Sequence, residues 1–319
     1  MGEAALRIHE EGSVGAPAAG LRPPAWAFEL AGGLAVPWLP AHAGMSLRAV
    51  EGDQFSMVSV VVPNAVSLGA TELEQRTEAA YRLIGERLRA GRGRQAVRVW
   101  NFIPGILAPL GELPHRYMAF NAGRFKAYES WFGGREGFRQ RVPTASGVGH
   151  LGSDLSFHCL ASNHIGTPIE NPRQVPSYRY SERYGPLPPC FARATRVTVP
   201  PDAGTWLLVG GTASVRGEET VNAGNLDAQA AETFQNMAEL VAAAGDGVTS
   251  WSPTERQDRR FLLGRFQSLR VYYVQREHEE RVRQLVGEAF PESTSFEFTH
   301  AELCRARLLV EIEGVAALS

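Results

Sequence analysis

The sequence predicts an α+β protein of two similar halves, each a β-sheet covered by helices, with a cleft between the halves. Its 319 residues leave room for about two ordinary domains. Apolar residues make up 44% and charged residues 21% of the chain, which is typical of globular proteins and not of disordered ones. Strand-like and helix-like segments follow one another in the same order in both halves, as expected where helices cover one face of a sheet.

The first half is predicted as strand, helix, strand, helix after an irregular lead-in of 45 residues that packs by its tryptophans. Residues 55–62 are rich in β-branched side chains, and residues 96–102 form a second strand-like run. Over residues 71–89 apolar side chains recur at helical spacing, and Thr71 with Glu74 forms a candidate capping box. Residues 116–132 are the second predicted helix.

The second half repeats this order. Leu226–Ala244 carries a single apolar stripe at helical spacing, and Gly245 is a natural stop for that helix. The other predicted elements are a strand at 205–215, a strand at 268–274, a helix at 277–290 and a closing strand at 307–312. Residues 73–84 also align with 227–238, and residues 98–103 with 270–275, so a duplication is predicted.

The chain is predicted to divide into an N-terminal domain at 1–144, a connection at 145–190 and a C-terminal domain at 191–319. The connection is dense in Pro, Gly, Tyr and Asn, a composition that prevents regular helix. Its aromatic rings still indicate order. It is therefore either one wall of a ligand cleft or a linker that packs by its rings.

Composition and motifs exclude several function classes. The net charge of −2 argues against a nucleic-acid binder, and the apolar runs are too short to cross a membrane. The N-terminus carries acids and no apolar segment, so no signal peptide is expected. Cys159, Cys190 and Cys304 lie far apart in sequence, which predicts a reducing, cytoplasmic location. Neither metal-binding nor nucleotide-binding motifs occur, so we expect no metal and no organic cofactor.

Two stretches and one group of side chains carry candidate chemistry. In residues 210–220, Arg216 could hold a carboxylate through two hydrogen bonds, unless this is an exposed sheet face ending in a turn at Gly217. In the closing strand, Glu311 and Glu313 share one face. Burial and mutual repulsion would raise a carboxyl pKa and suit it to proton transfer, unless the strand is a solvated edge.

The group consists of arginines and tyrosines around the connection. They would suit a small dicarboxylate ligand, or equally surface ion pairs. The members are Arg173, Arg179, Arg183, Arg193 and Arg196, with Tyr178, Tyr180 and Tyr184.

These residues carry a family resemblance. Residues 210–245 and the terminal VEIEG resemble the Rid/YjgF superfamily, through GGTAS, then Gly224, Asn225 and Gln229, then Asn236. A longer resemblance, from about residue 55 to the end, is to the chorismatases. It rests on ordered motifs that read RVWNF, YMAFNAGR, ENPRQVPSYRY, YGPLPP, GTASVRGEETV and LLVEIEG.

The resemblance implies two Rid/YjgF-like (chorismate-mutase-like) halves and release of pyruvate from chorismate in secondary metabolism, such as antibiotic biosynthesis. It implies that Glu311 is the acid/base residue. Cys304 and Gly217 match the type that forms aromatic 3-hydroxybenzoate. Cys304 and Glu311 are seven positions apart, so they share a pocket only if the chain turns near residues 305–307.

The carboxylates of chorismate would be held by Arg193, Arg216, Tyr180 and Tyr184. Two Rid-like halves in one chain could form internally the interface that Rid trimers form between subunits, so a monomer is expected. Three alternatives stay open. They are a hydrolytic chorismatase giving 3,4-dihydroxycyclohexa-1,5-diene carboxylate, a Rid-type imine deaminase, and a non-catalytic protein that binds a small carboxylate.

Overall fold

The computed structural model describes residues 21–33, 36–91, 94–199, 204–246, 248, 250–293 and 295–318. The part of the lead-in at residues 1–20 lies outside these ranges. Over the part of the chain that is described, no helix combines the length and the apolar character that a membrane crossing requires. Trp26 of the lead-in packs edge-on against Trp100, with ring centroids 5.7 Å apart, so that tryptophan packs as predicted.

The described residues form two six-stranded sheets, a two-stranded sheet of Val215–Arg216 and Glu219–Thr220, and the helices that cover the two large sheets. The α-helices are α1 (Ala25–Leu30), α2 (Ala70–Ala90), α3 (Arg116–Phe132), α4 (Phe138–Arg141), α5 (Leu226–Ala244), α6 (Arg259–Leu263) and α7 (Glu279–Ala289). The strands are β1 (Leu39–Pro40), β2 (Ser46–Glu51), β3 (Phe55–Val62), β4 (Gln95–Pro104), β5 (Thr144–His150), β6 (Leu155–Ser162), β7 (Thr167–Ile169), β8 (Ala194–Thr198), β9 (Thr205–Ala213), β10 (Val215–Arg216), β11 (Glu219–Thr220), β12 (Phe266–Tyr273), β13 (Ser295–His300) and β14 (Val310–Ala317).

The two main sheets have the same topology. The first runs β1-β2-β3-β6-β4-β5, and the second, read in the matching direction, runs β7-β8-β9-β14-β12-β13. In each sheet one pair is parallel, β4 with β5 and β12 with β13, and the described neighbours otherwise pair antiparallel. The predicted α+β fold of two similar halves is confirmed.

The outer face of each sheet carries the helices. In the first half, Tyr81 and Ile84 of α2 and Phe120 of α3 pack against the β3 valines at 58, 60 and 62. In the second half, Phe234 and Met237 of α5 pack against β12 and β14. The apolar stripes predicted from the sequence are therefore the faces that the helices bury.

The inner faces of the two sheets contact each other. Trp100 and Leu160 of the first sheet and Leu208 and Tyr272 of the second belong to one buried cluster. A strand buried on both faces loses the apolar–polar alternation that marks an amphipathic strand. All eight residues of β3 are buried for this reason.

The duplication extends to the register of the strands. Trp100 of β4 lies opposite His158 of β6, and Tyr272 of β12 lies opposite Glu311 of β14. His158 therefore occupies in the first half the place that Glu311 occupies in the second.

Three details of the sequence-based prediction are wrong. Residues 145–162 are not part of an irregular connection, because β5 and β6 complete the first sheet, and β7 at Thr167–Ile169 already belongs to the second sheet. The residues of β5, TASGVGH, are small and glycine-rich, which gives a weak strand signal. Helix α2 has Gly69 as its N-cap with no side-chain cap, so the capping box does not form. The closing strand starts at Val310, not at 307.

Candidate active site

A cavity of about 380 Å³ lies where the two halves and the connection meet. Its volume falls in the range of roughly 300–1,000 Å³ that small-molecule sites occupy. The first half contributes Tyr117 and Asn121 of α3, and the second half contributes Gly211 of β9 and Glu311 of β14. The connection contributes a wall of side chains consisting of Tyr180, Arg183, Tyr184, Pro189, Phe191 and Arg193. Of the two interpretations of the connection, the structure therefore supports the cleft wall.

Glu311 is buried at the floor of this cavity. Its strand β14 is central, paired with β12 on one side and β9 on the other, so the solvated-edge alternative is wrong. The residue is 4% exposed, and among the described residues its carboxyl group has no hydrogen-bond partner. A Cβ atom on Gly211 would lie 2.0 Å from Glu311 Oε1. Glycine at 211 is therefore what gives the Glu311 carboxyl its space.

The environment of Glu311 favours its neutral form. Burial first and the neighbouring Glu313 carboxylate second raise the pKa of this carboxyl to about 8, while Arg98, Arg305 and Arg193 act in the opposite direction. A group with this pKa is largely protonated at neutral pH. Glu311 is thus a carboxylic acid that carries a proton beside an open cavity.

Glu313, two residues further on, has the opposite environment. Its carboxylate forms a buried salt bridge with Arg98 at 2.7 Å and accepts a hydrogen bond from Trp100 Nε1 at 2.9 Å. The hydroxyl groups of Tyr272, at 3.1 Å, and of Ser146 also donate to it. Four donors, one of which is the Arg98 cation, surround the Glu313 carboxyl group. Glu313 therefore holds the two halves together.

Cys304 shares the cavity with Glu311. The chain turns at residues 305–307, where the Leu308 amide donates to the Arg305 carbonyl at 3.1 Å, and this turn places Cys304 and Glu311 on one cavity wall. The turn that the sequence required is thus present. Burial raises the pKa of the Cys304 thiol to about 12, with the Glu311 carboxyl as the next contribution, so the thiol is neutral at physiological pH.

Two arginines contribute positive charge to the cavity wall. Arg193 is 8% exposed, donates to the Tyr180 hydroxyl at 2.5 Å, and its Nε has no hydrogen-bond partner. Arg305 lies over the Tyr184 ring at 4.5 Å and over the Tyr180 ring at 5.4 Å. The two guanidinium groups thus share the Tyr180 ring, because Arg193 lies over it at 5.6 Å. Arg305 Nη1 donates to the Glu218 carbonyl, whereas the unpartnered Nε of Arg193 can still donate to an anion.

Two of the predicted site residues lie elsewhere. Arg216 does not line the cavity; it forms a salt bridge at 2.7 Å with Glu232 of α5, which Arg173 also contacts. Gly217 does not line the cavity either. It adopts a φ of 59° in a turn, where its amide donates to the Arg173 carbonyl and its carbonyl accepts from the Val175 amide. The predicted residues that the structure brings together are Glu311, Cys304, Arg193, Tyr180 and Tyr184.

The sequence reasoning missed Arg305, Tyr117 and Asn121. Arg305 could have been found, because the turn required near residues 305–307 brings its side chain to the wall that carries Cys304 and Glu311. Tyr117 and Asn121 belong to the YMAFNAGR motif, but helical periodicity alone cannot show which end of α3 reaches the cavity.

A second cavity, of about 980 Å³, lies between α1 and the second sheet. It is larger, and mainly apolar side chains line it, among them Trp26, Phe55, Val199 and Leu208. Its charged lining residues are Glu29 and Asp53, and no described arginine or cysteine lines it, so it lacks the cations that the Glu311 cavity offers to an anionic ligand. Across the described ranges, no three histidine, cysteine or carboxylate side chains cluster as metal ligands.

Comparisons with known proteins find similar proteins in one family. Residues 41–161 match the family model described as "Chorismatase FkbO/Hyg5-like, N-terminal". The chain is 36% identical over 274 residues to a 3-hydroxybenzoate synthase of Streptomyces hygroscopicus, covering 84% of this chain and 75% of that protein. It is 32% identical over 222 residues to a chorismatase of Streptomyces rapamycinicus, covering 69% of this chain but only 63% of the relative.

A crystal structure of a chorismatase superposes with a TM-score of 0.74 at 26% sequence identity, covering 88% of this chain and 80% of that one. By sequence and by fold, the chain belongs to the chorismatase family.

Proposed function

We propose that this protein converts chorismate into 3-hydroxybenzoate and pyruvate, with Glu311 as the proton donor. The observation that carries the proposal is a buried carboxyl, protonated at neutral pH, in a cavity lined by Arg193 and Arg305. The named synthase relative at 36% identity supports the choice of product. A dianionic substrate suits this cavity, because two guanidinium groups can each bind a carboxylate.

Glu311 would deliver its proton to the terminal methylene carbon of the enolpyruvyl ether. This leaves an oxocarbenium-like carbon at the ether. In the aromatic route the neighbouring ring hydroxyl adds to that carbon and gives up its proton, which forms a cyclic ketal. The bond from the ketal carbon to the original ether oxygen and the bond from the ring to the attacking oxygen then break, so pyruvate leaves with the attacking oxygen. The original ether oxygen stays on the ring and takes up the hydroxyl proton, and loss of one ring proton yields 3-hydroxybenzoate. One proton enters and one leaves, so Glu311 is restored and no water is consumed.

Cys304 and Gly217 would decide between this route and hydrolysis. A neutral thiol beside the ring excludes water and leaves the ring hydroxyl as the nearest nucleophile. Gly217 would act at a distance, because its turn holds Gln174, which lines the cavity. Arg193, Tyr180 and Tyr184 would bind carboxylates, with Arg305 taking the place that the sequence assigned to Arg216.

The test is incubation of the purified protein with chorismate, followed by chromatography of the products. We expect equal amounts of pyruvate and 3-hydroxybenzoate. Accumulation of 3,4-dihydroxycyclohexa-1,5-diene carboxylate would instead show the hydrolytic reaction. Unchanged chorismate would contradict both reactions and leave the imine deaminase and the binding protein as the alternatives.

An isotope experiment separates the two routes independently of product stability. In ¹⁸O-labelled water the hydrolytic route puts solvent oxygen into the keto group of pyruvate. The intramolecular route takes that oxygen from the substrate. Lactate dehydrogenase with NADH would trap pyruvate as lactate before its keto group exchanges, and we expect an unlabelled 2-hydroxyl group.

We infer a cytoplasmic enzyme of secondary metabolism that acts as a monomer and needs no cofactor. We also infer two domains, each built on one of the main sheets, with the chain passing from the first to the second at residues 163–166. Light scattering coupled to size exclusion tests the monomer, and a dimer or trimer mass would contradict it.

A further inference from the structure

Asn121 on α3 is a cavity residue whose amide has a fixed orientation. It is fully buried, and its Oδ1 accepts a hydrogen bond of 2.8 Å from Nη2 of Arg124. A guanidinium group only donates hydrogen bonds, so the amide oxygen must face Arg124. The amide nitrogen therefore points away from Arg124, and it has no hydrogen-bond partner.

Arg124 is itself an unusual residue. It is fully buried, and among the described residues it has no carboxylate partner. Its Nε and Nη1 have no hydrogen-bond acceptor, and its guanidinium lies over the rings of Phe120 and of Phe191, at 5.1 and 5.5 Å. A buried cation without a counter-ion is costly unless something else compensates it. Because Phe191 lines the cavity, Arg124 lies directly behind the cavity wall.

The packing of α3 against α2 holds this pair in place. A Cβ atom on Gly123 would lie 2.3 Å from the Glu74 carbonyl oxygen, so only glycine permits the helices to approach this closely. The neighbouring Asn121 and Arg124 are thereby fixed by backbone contact and not by side-chain packing alone. Such rigidity is what a binding group needs to be preorganised.

We propose that the Asn121 amide donates a hydrogen bond to a carboxylate of the dianionic substrate, and that Arg124 is the positioning residue that fixes this amide. The negative charge of the bound substrate then compensates the buried Arg124 cation through the cavity wall. This inference rests on the proposed function and extends it to the first half of the chain, which would contribute a substrate contact and not only support.

The test measures binding without turnover. In a Glu311→Gln background, chorismate is titrated by calorimetry into proteins carrying Asn121→Leu or Asn121→Asp. Loss of a hydrogen bond to a charged group predicts about 10- to 100-fold weaker binding for leucine. Aspartate should weaken binding further, because it replaces the donor by an anion. Asn163→Asp, the same change at an exposed amide far from the cavity, should leave binding unchanged.

Aspartate also keeps the oxygen that accepts the hydrogen bond from Arg124. The Asn121→Asp variant therefore keeps any purely structural contact between these two residues and should fold. If binding in the aspartate variant stays within threefold, Asn121 does not contact the substrate and the inference is overturned. Weaker binding with aspartate but not with a folded leucine variant would show a charge effect alone, which also overturns it. If the Glu311→Gln protein is folded but does not bind chorismate, the proposed function fails together with this inference.

The positioning role of Arg124 has its own readout. With Glu311 restored, Arg124→Lys keeps the positive charge but loses the planar guanidinium group that orients the Asn121 amide. We therefore expect KM to rise while kcat changes little. In the Asn121→Leu background the same substitution should have no further effect on KM, because the two residues act through one contact. Additive effects would show that Arg124 acts independently of Asn121.

Discussion

The strongest prediction concerns replacement of Glu311 by glutamine, which keeps the shape of the side chain and removes its transferable proton. The pKa of this carboxyl is raised from 4.5 to about 8. At pH 7 the acid form is then about 90% of the total, against about 0.3% for an unperturbed glutamate, a gain of about 300-fold in available acid. General acid–base assistance of about 10²- to 10⁴-fold is typical, so kcat should fall by at least 100-fold.

The assay is steady-state pyruvate release on folded protein across pH 6 to 10. In the wild type kcat should be flat at low pH and fall about tenfold per unit above pH 8. Glu239→Gln is the matched control, since it makes the same change on α5 outside the cavity, where Glu239 accepts a hydrogen bond from Gln235. Near-full activity of Glu311→Gln, or a wild-type profile that rises through pH 8, would refute the assignment.

The same shift has a consequence for stability. A carboxyl whose folded pKa is raised contributes stability that is fully present below pH 4.5 and is lost as pH rises through about 8. The loss is at most about 5 kcal/mol at 1.4 kcal/mol per pKa unit. Glu311→Gln should therefore unfold at nearly the wild-type temperature at pH 4.5 and at a higher temperature at pH 9. If the difference in melting temperature between Glu311→Gln and the wild type is the same at pH 4.5 and at pH 9, the buried, protonated state of Glu311 is contradicted.

Four further predictions follow from the same geometry. Cys304→Ala should keep pyruvate release but move the second product toward the non-aromatic dihydroxy acid, and an unchanged product ratio at full conversion would remove Cys304 from the route. Glu313→Gln should lower the free energy of unfolding by about 3–5 kcal/mol in denaturant titrations, because it leaves Arg98 buried without its counter-ion. Gly211→Ala should abolish turnover in a folded protein, since its Cβ would displace the Glu311 carboxyl. Chelation should leave kcat unchanged, and a loss that added metal restores would contradict the metal-free mechanism.

Local sequence patterns predicted several strands and helices of this fold with the correct bounds. The strand Phe55–Val62 and the helices Arg116–Phe132 and Leu226–Ala244 have the predicted bounds. These segments are long or strongly patterned, so local sequence decides them. Strands β5, β6 and β8 were missed because they are short, consist of small residues or are buried on both faces, and such strands carry no clear local pattern. Their pairing with neighbouring strands in the sheet defines them.

The candidate site was predictable only in part, and its limits have physical causes. The family motifs indicated Glu311 and Cys304, and the odd spacing between them correctly required a turn. Arg216 was placed in the site because a bare sequence cannot show its tertiary partner, Glu232 of α5. Arg124 and Asn121 were invisible for a related reason, since their unpaired donors are a property of burial and not of residue type.

The divergence of the two halves shows how a duplicated fold acquires one site. The place of Glu311 is taken in the first half by His158, which contacts the Ser59 hydroxyl at 2.9 Å and whose pKa burial lowers to about 3. That histidine is neutral and enclosed, so the first half has no proton donor of its own at this position. The arginines at matching positions of β4 and β12 also differ in their partners. Arg98 of the first half forms a salt bridge with Glu313 across the interface, whereas Arg270 pairs with Glu297 in its own half. Through Arg98, Trp100 and Ser146 the first half holds Glu313 in place, and the Glu313 carboxylate contributes to the raised pKa of Glu311. Burial is the largest cause of the raised Glu311 pKa, and the charge pair between the halves acts on it in both directions, since Glu313 raises that pKa and Arg98 lowers it.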